Sequence, residues 1–150
     1  MTERDIIVRK FEELTLNELY GILRSRQEVF AIEQGIVYQD MDLIDQKSVH
    51  LFIPEENGNE IIAYLRIIPP DVKYAETSMG RLLTLKNFRN RGVGRKLMLA
   101  GIREAEKLYG KPIRIEAQAY LLKFYQSLGF KAISEPFILE GINHIEMILT

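Results

Sequence analysis

The run Arg89-Asn90-Arg91-Gly92-Val93-Gly94-Arg95-Lys96-Leu97 joins an apolar, β-rich stretch, Met79 to Leu85, to a segment whose apolar positions Val93, Leu97, Ala100, Gly101, Ala105 and Leu108 trace one helical face. It predicts a strand, a glycine-bearing turn and a helix in direct succession. The first N–H groups of a helix have no intrahelical acceptor, and the helix dipole adds partial positive charge there, so such a corner suits an anion, with phosphate the first choice. A P-loop does not fit, because no glycine precedes Gly92 at the required distance; a dinucleotide fingerprint does not fit, because position 97 is Leu. The remaining pattern, Arg-x-x-Gly-x-Gly, is short, and on these residues alone a solvated arginine-rich first turn is an equally good reading.

A second junction lies some thirty residues on. Ala119-Tyr120-Leu121-Leu122-Lys123-Phe124-Tyr125-Gln126-Ser127-Leu128-Gly129-Phe130 predicts a helix over 119 to 128, closed by Gly129 at C′ and followed at once by a strand. Together the two junctions resemble the GNAT (GCN5-related N-acetyltransferase) family, whose acyl-CoA site combines [RQ]-x-x-G-x-[GA] with a helix ending Tyr-x-x-x-Gly-Phe. The matching residues are Arg89, Gly92 and Gly94, then Tyr125, Gly129 and Phe130. Leu23 to Gln34, Tyr38-Gln39-Asp40-Met41-Asp42, Glu116-Ala117-Gln118-Ala119-Tyr120, Ser134-Glu135-Pro136-Phe137 and Gly141 to Met147 are similar to its ElaA-like branch. The likeness runs from about residue 16 to 148. Lys86 stands where the family often has Pro before the loop.

Composition sets outer limits. A length of 150 residues with 47% hydrophobic content fits one domain over 1–150 with a single core. A formal charge of −1 gives no bulk attraction for nucleic acid or an anionic membrane. The absence of cysteine excludes disulfides, thiolate metal sites and a cysteine acyl-enzyme, and two separated histidines offer no metal ligand set. Met1-Thr2-Glu3-Arg4-Asp5 is charged and has no signal-peptide apolar region, and no stretch approaches the ~20 apolar residues of a membrane span. The expectation is a cytoplasmic protein that uses no metal and has neither nucleic acid nor membrane as partner.

Along the chain, Ile6 to Val8 predicts a first strand. Thr15-Leu16-Asn17-Glu18 is a capping box opening a helix to about Ala31, and residues 33 to 48 read as a loop with at most a short helix. Val49–Ile53 and Ile61–Ile68 are strands around the turn signal Asn57-Gly58-Asn59, and Pro69-Pro70 ends the second. The strand over Met79–Leu85 leads into the helix that runs to about Tyr109, where Gly110 stops it; Ile113–Ala117 is the next strand. Phe130 to Ile133 and His144 to Leu149, turning near Glu140-Gly141, predict a final antiparallel pair whose edge suits a homodimer. A strand–helix–strand unit across 79 to 117 is a parallel crossover, so the sheet is mixed. The resemblance sharpens this to a single-domain α/β GNAT-like fold: a mixed central sheet with a splayed parallel strand pair, flanked by helices.

The resemblance also implies the chemistry. Acetyl-CoA as acyl donor needs its pyrophosphate and its pantetheine arm gripped. Backbone N–H groups of Arg89, Asn90, Arg91, Gly92, Val93, Gly94 and Arg95 suit the first, and main-chain groups of Leu82, Leu83 and Thr84 suit the arm, as though pairing with a further strand. Tyr125 matches the position that protonates the departing sulfur; its bland reading is a core residue at helical spacing with Leu121 and Leu128. The acceptor is an amine, a small molecule in the first instance, and because an alkylamine is charged at neutral pH some base must take its proton. Glu33, His50, Glu116 and His144 are the candidates, Glu116 and His50 standing with Tyr125 as the catalytic set. Asp40 and Asp42 are read as attracting a cationic acceptor, and Phe30, Glu33, Gln34, Tyr38, Gln118 and His144 as its pocket. The rival readings are a non-catalytic acyl-CoA-binding regulatory module and a nucleic-acid-binding domain using Arg89, Arg91, Arg95 and Lys96, the latter disfavoured by the balanced charge.

Overall fold

The computed structural model describes residues 5–58 and 60–150. The charged start Met1 to Arg4 and Asn59 of the expected Asn57-Gly58-Asn59 turn lie outside the described residues. In chain order the elements are β1 (Ile7–Lys10), α1 (Leu16–Arg26), β2 (Val49–Pro54), β3 (Ile61–Ile68), β4 (Thr77–Thr84), α2 (Val93–Tyr109), β5 (Ile113–Gln118), α3 (Leu122–Ser127), β6 (Lys131–Ala132), β7 (Phe137–Leu139) and β8 (Ile142–Leu149). The capping box forms as the sequence predicts: the Thr15 hydroxyl accepts the Glu18 N–H at 3.0 Å, and the Glu18 carboxylate accepts the Thr15 N–H at 2.9 Å. Gly110 closes α2, donating to the Glu106 carbonyl from a positive φ that costs glycine little.

The strands form one sheet in the order β1-β2-β3-β4-β5-β8-β6, with β7 beside β8. Among the described residues β4 and β5 are the one parallel pair; the other pairs are antiparallel. This is the mixed α/β sheet with flanking helices that the sequence predicts. α2 packs on one face, its Gly101 lying directly against Leu65 and Met79. α1 covers the other, where the Ser25 hydroxyl donates to the Ile61 carbonyl at 2.5 Å. Leu51, Phe52, Ala63, Ile67, Leu97 and Met147 are fully buried between them; burying each large apolar side chain contributes on the order of 1.5–3 kcal/mol.

Three details depart from the sequence reading. α1 does not continue as a regular helix to Ala31 but widens into π-type turns over Gln27–Glu33. β4 begins two residues earlier than expected, at Thr77. At the C-terminus β8 is paired on both sides, by β5 and by the short strands β6 and β7, so it is an inner strand and the sheet edge belongs to those two.

The segment between α1 and β2 has little regular structure, yet charge anchors it to the sheet. The Arg26 guanidinium donates to Asp40 (3.0 Å) and Asp45 (2.8 Å); Arg66 on β3 donates to Asp42 (2.6 Å) and Asp45 (2.9 Å); Arg81 on β4 donates to the Asp40 carboxylate (2.8 Å) and carbonyl (2.9 Å). Arg26 and Arg66 are almost completely buried. Burial alone penalises the charged forms of Asp42 and Asp45 most strongly, but hydrogen bonds and charge from the arginines outweigh it, and both carboxyls are held below the usual range. His50 belongs to the same cluster. Its Nδ1 lies 2.7 Å from the Tyr64 hydroxyl and its Nε2 2.9 Å from the Asp45 carbonyl, so both ring nitrogens are engaged and burial lowers its pKa.

Replacing Asp45 by Asn leaves two buried guanidiniums short of a counter-charge and lowers unfolding free energy by about 3–5 kcal/mol in urea titration at pH 7. The depressed carboxyl pKa values also set a pH window: the cluster's contribution is complete above about pH 4 and is lost as pH falls through the folded-state values. Wild-type stability therefore drops below about pH 4, and the Asp45→Asn variant shows a shallower drop.

Candidate functional site

β4 and β5 share two rungs, Thr77 opposite Ile113 and Ser78 opposite Arg114, and diverge from there. A bulge helps turn β4 away: between Tyr64 and Arg66 the register with β3 shifts, and Arg81 takes a left-handed φ of 56°. The divergence opens a cleft of about 840 Å³ that reaches from the start of α2 to the segment after α1. Past Ser78 the β5-facing edge of β4 has no strand partner among the described residues, so main-chain groups at Leu82, Leu83 and Thr84 border the opening.

The Gly92 corner stands at one end of this cleft. Lys86–Phe88 form a 3₁₀ turn with Lys86 at its first position, where proline is equally tolerated. Asn90 and Gly92 are both left-handed, at φ 65° and 73°, a conformation that turns successive N–H groups toward one side. The first α2 hydrogen bond is Lys96 N–H to Gly92 O, 3.1 Å, so the N–H groups of Val93, Gly94 and Arg95 precede the helical ladder. A Cβ on Gly94 meets only Thr84 Oγ1, at 3.8 Å, which leaves the backbone accessible from the cleft.

The arginines divide their work. Arg89 Nε donates to the Thr84 carbonyl (2.9 Å) and its Nη2 pairs with Glu33 (2.6 Å), tying the corner both to β4 and to the end of the π-type turns. Arg95 donates to Ser127 Oγ on α3 at 2.9 Å. Arg91 lies over the Phe88 ring, 5.7 Å from its centroid, and does not line the cleft.

Tyr125 reaches the cleft from α3. That helix ends as the glycine predicts: Gly129 has φ 101° and Phe130 N–H bonds back to Tyr125 O at 3.1 Å. The ring packs edge-on against Phe124 (5.0 Å) and Phe130 (6.0 Å). Core residue and cleft residue are thus both true of Tyr125. Its hydroxyl has no hydrogen-bond partner among the described residues, and burial, with a smaller contribution from Tyr120, pushes its pKa up to about 12. A neutral phenol at ordinary pH donates a proton and carries no charge.

On the opposite side the cleft gathers Phe30, Glu33, Gln34, Tyr38, Glu116, Gln118 and His144, all expected there. It adds Tyr74, Ser78, Gly80, Arg81 and Phe124, which no motif in the sequence marks; Arg81 in particular is placed by the bulge alone. Two expectations are corrected. His50, taken as a candidate catalytic group, is 1% exposed, does not line the cleft and has both nitrogens occupied by Tyr64 and Asp45. Asp40 and Asp42 have no free charge for a cationic acceptor, because Arg26, Arg66 and Arg81 take their carboxylates. Glu116 is also compensated, 3.6 Å from the Lys73 ammonium. Among the described residues, no helix is long and apolar enough to cross a membrane.

The model of an acetyltransferase (GNAT) domain matches residues 22–150. A UPF0039 protein of Synechocystis is 39% identical over 93% of this chain and 91% of its own length. The crystal structure of an acyl-CoA N-acyltransferase from Pseudomonas aeruginosa superposes with a TM-score of 0.91 at 33% identity, covering 97% of this chain and 99% of that one. The crystal structure of Escherichia coli ElaA gives 0.90 at 31% identity, over 97% and 98% of the two chains. With the parted parallel strands, the glycine corner and the Tyr-x-x-x-Gly-Phe helix end all present in one fold, the chain belongs to the GNAT acetyltransferase family, in its ElaA-like branch.

Proposed function

We propose that this chain is an acetyl-CoA-dependent N-acetyltransferase that acetylates a primary amine of a small molecule by direct attack within a ternary complex. The observation that carries the proposal is that Val93, Gly94 and Arg95, whose N–H groups precede the helical ladder, line the same cleft as Tyr125. The residues present fit the donor. Amides at a helix N-terminus suit a pyrophosphate, the bare backbone at Gly94 gives it room, and the unpaired edge of β4 offers an amide-bearing arm a strand-like partner. With no cysteine in the chain, an acyl-thiol enzyme intermediate is not available, which favours direct transfer.

Tyr125 donates a hydrogen bond to the departing sulfur. A phenol pushed up to about 12 is a weaker acid than a thiol, so it stabilises the thiolate chiefly by hydrogen bonding, with full transfer completed through solvent. The acceptor side is charge-balanced: Asp40, Asp42, Asp45, Glu33 and Glu116 all have cationic partners. Recognition there falls to the rings of Phe30, Tyr38 and Tyr120 and the amides of Gln34 and Gln118.

Gly94→Val places a branched side chain at the donor corner without straining the backbone, whereas a change at left-handed Gly92 also costs backbone strain. Gly94→Val keeps or raises the melting temperature, since valine is the better helix residue, and weakens acetyl-CoA binding in calorimetry by about tenfold or more, corresponding to ~1.4 kcal/mol. Unchanged affinity contradicts the assignment of the corner. Tyr125→Phe lowers kcat with a panel of amines by about 100-fold or more at unchanged acetyl-CoA affinity. Full turnover in that variant removes Tyr125 from the chemistry, and binding without turnover by the wild type favours the non-catalytic module.

A further inference from the structure

We propose that His144 is the general base of the reaction, its Nε2 taking the proton of the acceptor amine; this rests on the acetyl-transfer reading above. His144 lies on β8 opposite Gln118 on β5, so the two side chains share one face of the sheet where β5 hands over to the helical segment that bears Tyr125. Both line the cleft. His144 Nδ1 is 2.8 Å from the Ile142 carbonyl oxygen. A carbonyl only accepts, so Nδ1 carries the hydrogen, and in the neutral ring Nε2 is left with the lone pair. Phe137 lies alongside at 6.1 Å between centroids and 30° between planes, which helps hold the ring's orientation. Among the described residues Nε2 has no hydrogen-bond partner.

The other candidates are hydrogen-bonded through both nitrogens, paired with a cation, or exposed to solvent. His50 is bonded through both nitrogens, in the opposite tautomer, with Nε2 donating to the Asp45 carbonyl. The Glu33 carboxylate is bonded to Arg89 at 2.6 Å, and Glu116 faces Lys73 at 3.6 Å. Glu146, two residues along β8, pairs with Arg114 at 2.8 Å, and Glu140, at the rim of the cleft in the β7–β8 turn, is exposed to solvent, where a carboxylate stays a weak base. Imidazole is also the side chain suited to taking a proton near neutral pH.

In the proposed step the uncharged amine attacks the thioester carbonyl carbon. As the C–N bond forms, Nε2 takes the nitrogen's proton. The C–S bond breaks with its electron pair on sulfur, and the nascent thiolate accepts a hydrogen bond from the Tyr125 hydroxyl. Solvent then carries the proton of the His144 imidazolium to the thiolate, so the products are the amide and free thiol, with His144 returned to its neutral form and Tyr125 unchanged.

The test begins with His144→Asn, which keeps an N–H donor for the Ile142 carbonyl while removing the lone pair. Turnover with amines falls by about 100-fold or more while acetyl-CoA affinity in calorimetry is unchanged. His144→Ala regains part of the lost rate when imidazole is added, a rescue that a packing role does not give. Nitrogen-15 spectra of the wild type, which has two histidines, show His144 in the Nδ1–H form and His50 in the Nε2–H form, with the first signal absent from His144→Asn. Near-wild-type turnover in His144→Asn, or an Nε2–H tautomer at His144, overturns the base assignment and leaves acetyl transfer standing. A wild type that binds acetyl-CoA but releases thiol with no amine contradicts acetyl transfer itself, and the base with it.

Discussion

Hydrogen bonding between β4 and β5 stops after Ser78 and Arg114, and the rest of the site is arranged around that separation. Each strand has its other edge satisfied, β4 by β3 and β5 by β8 along its whole length, so the two can part without leaving the sheet unsupported. The backbone groups freed on β4 border the open cleft, and any ligand that covers them without replacing their hydrogen bonds to solvent leaves polar groups buried and unpaired, which is costly. A ligand that pairs with them offsets that cost, and this links an opening in the sheet to recognition of a peptide-like arm.

The bulge at Arg81 helps to keep the opening. A left-handed φ on a non-glycine residue costs on the order of 1–3 kcal/mol and persists only where surroundings enforce it. Here the enforcement comes from the Arg81 guanidinium, held by the Asp40 carboxylate and carbonyl and stacked near the Tyr38 ring at 5.6 Å. Asp40 is held in turn by buried Arg26, which also shares Asp45 with Arg66. The buried charge cluster thus does more than fasten a loop: it helps fix the shape of β4 at the cleft and leaves that side of the cleft electrically balanced. A buried ion cluster contributes little net stability over an apolar core of equal volume, but it is costly to break, so it specifies geometry.

Elements governed by local rules were legible in the sequence. The Thr15 capping box, the glycine stops at Gly110 and Gly129 and the Gly92 corner each depend on residues within a turn of one another, and each formed where expected. The charge cluster was not legible, because Arg26, Arg66 and Arg81 meet Asp40, Asp42 and Asp45 across long stretches of chain, and a sequence gives no measure of which acidic residue each arginine reaches. For the same reason Asp40 and Asp42 looked available to a substrate. His50 looked like a cleft residue because position in a strand does not reveal which end of the sheet its side chain serves. The π-type turns over Gln27–Glu33 and the bulge at Arg81 likewise arise from tertiary packing and leave no local sequence signature.

Amide hydrogen exchange with and without acetyl-CoA tests the central claim most directly, since it reads the backbone groups themselves. The account predicts slowed exchange at Gly92 to Arg95 and along β4 from Met79 to Thr84, with the β2–β3 ladder unaffected. Exchange that is unchanged at the Gly92 corner while acetyl-CoA is bound, or protection confined to another surface, contradicts it.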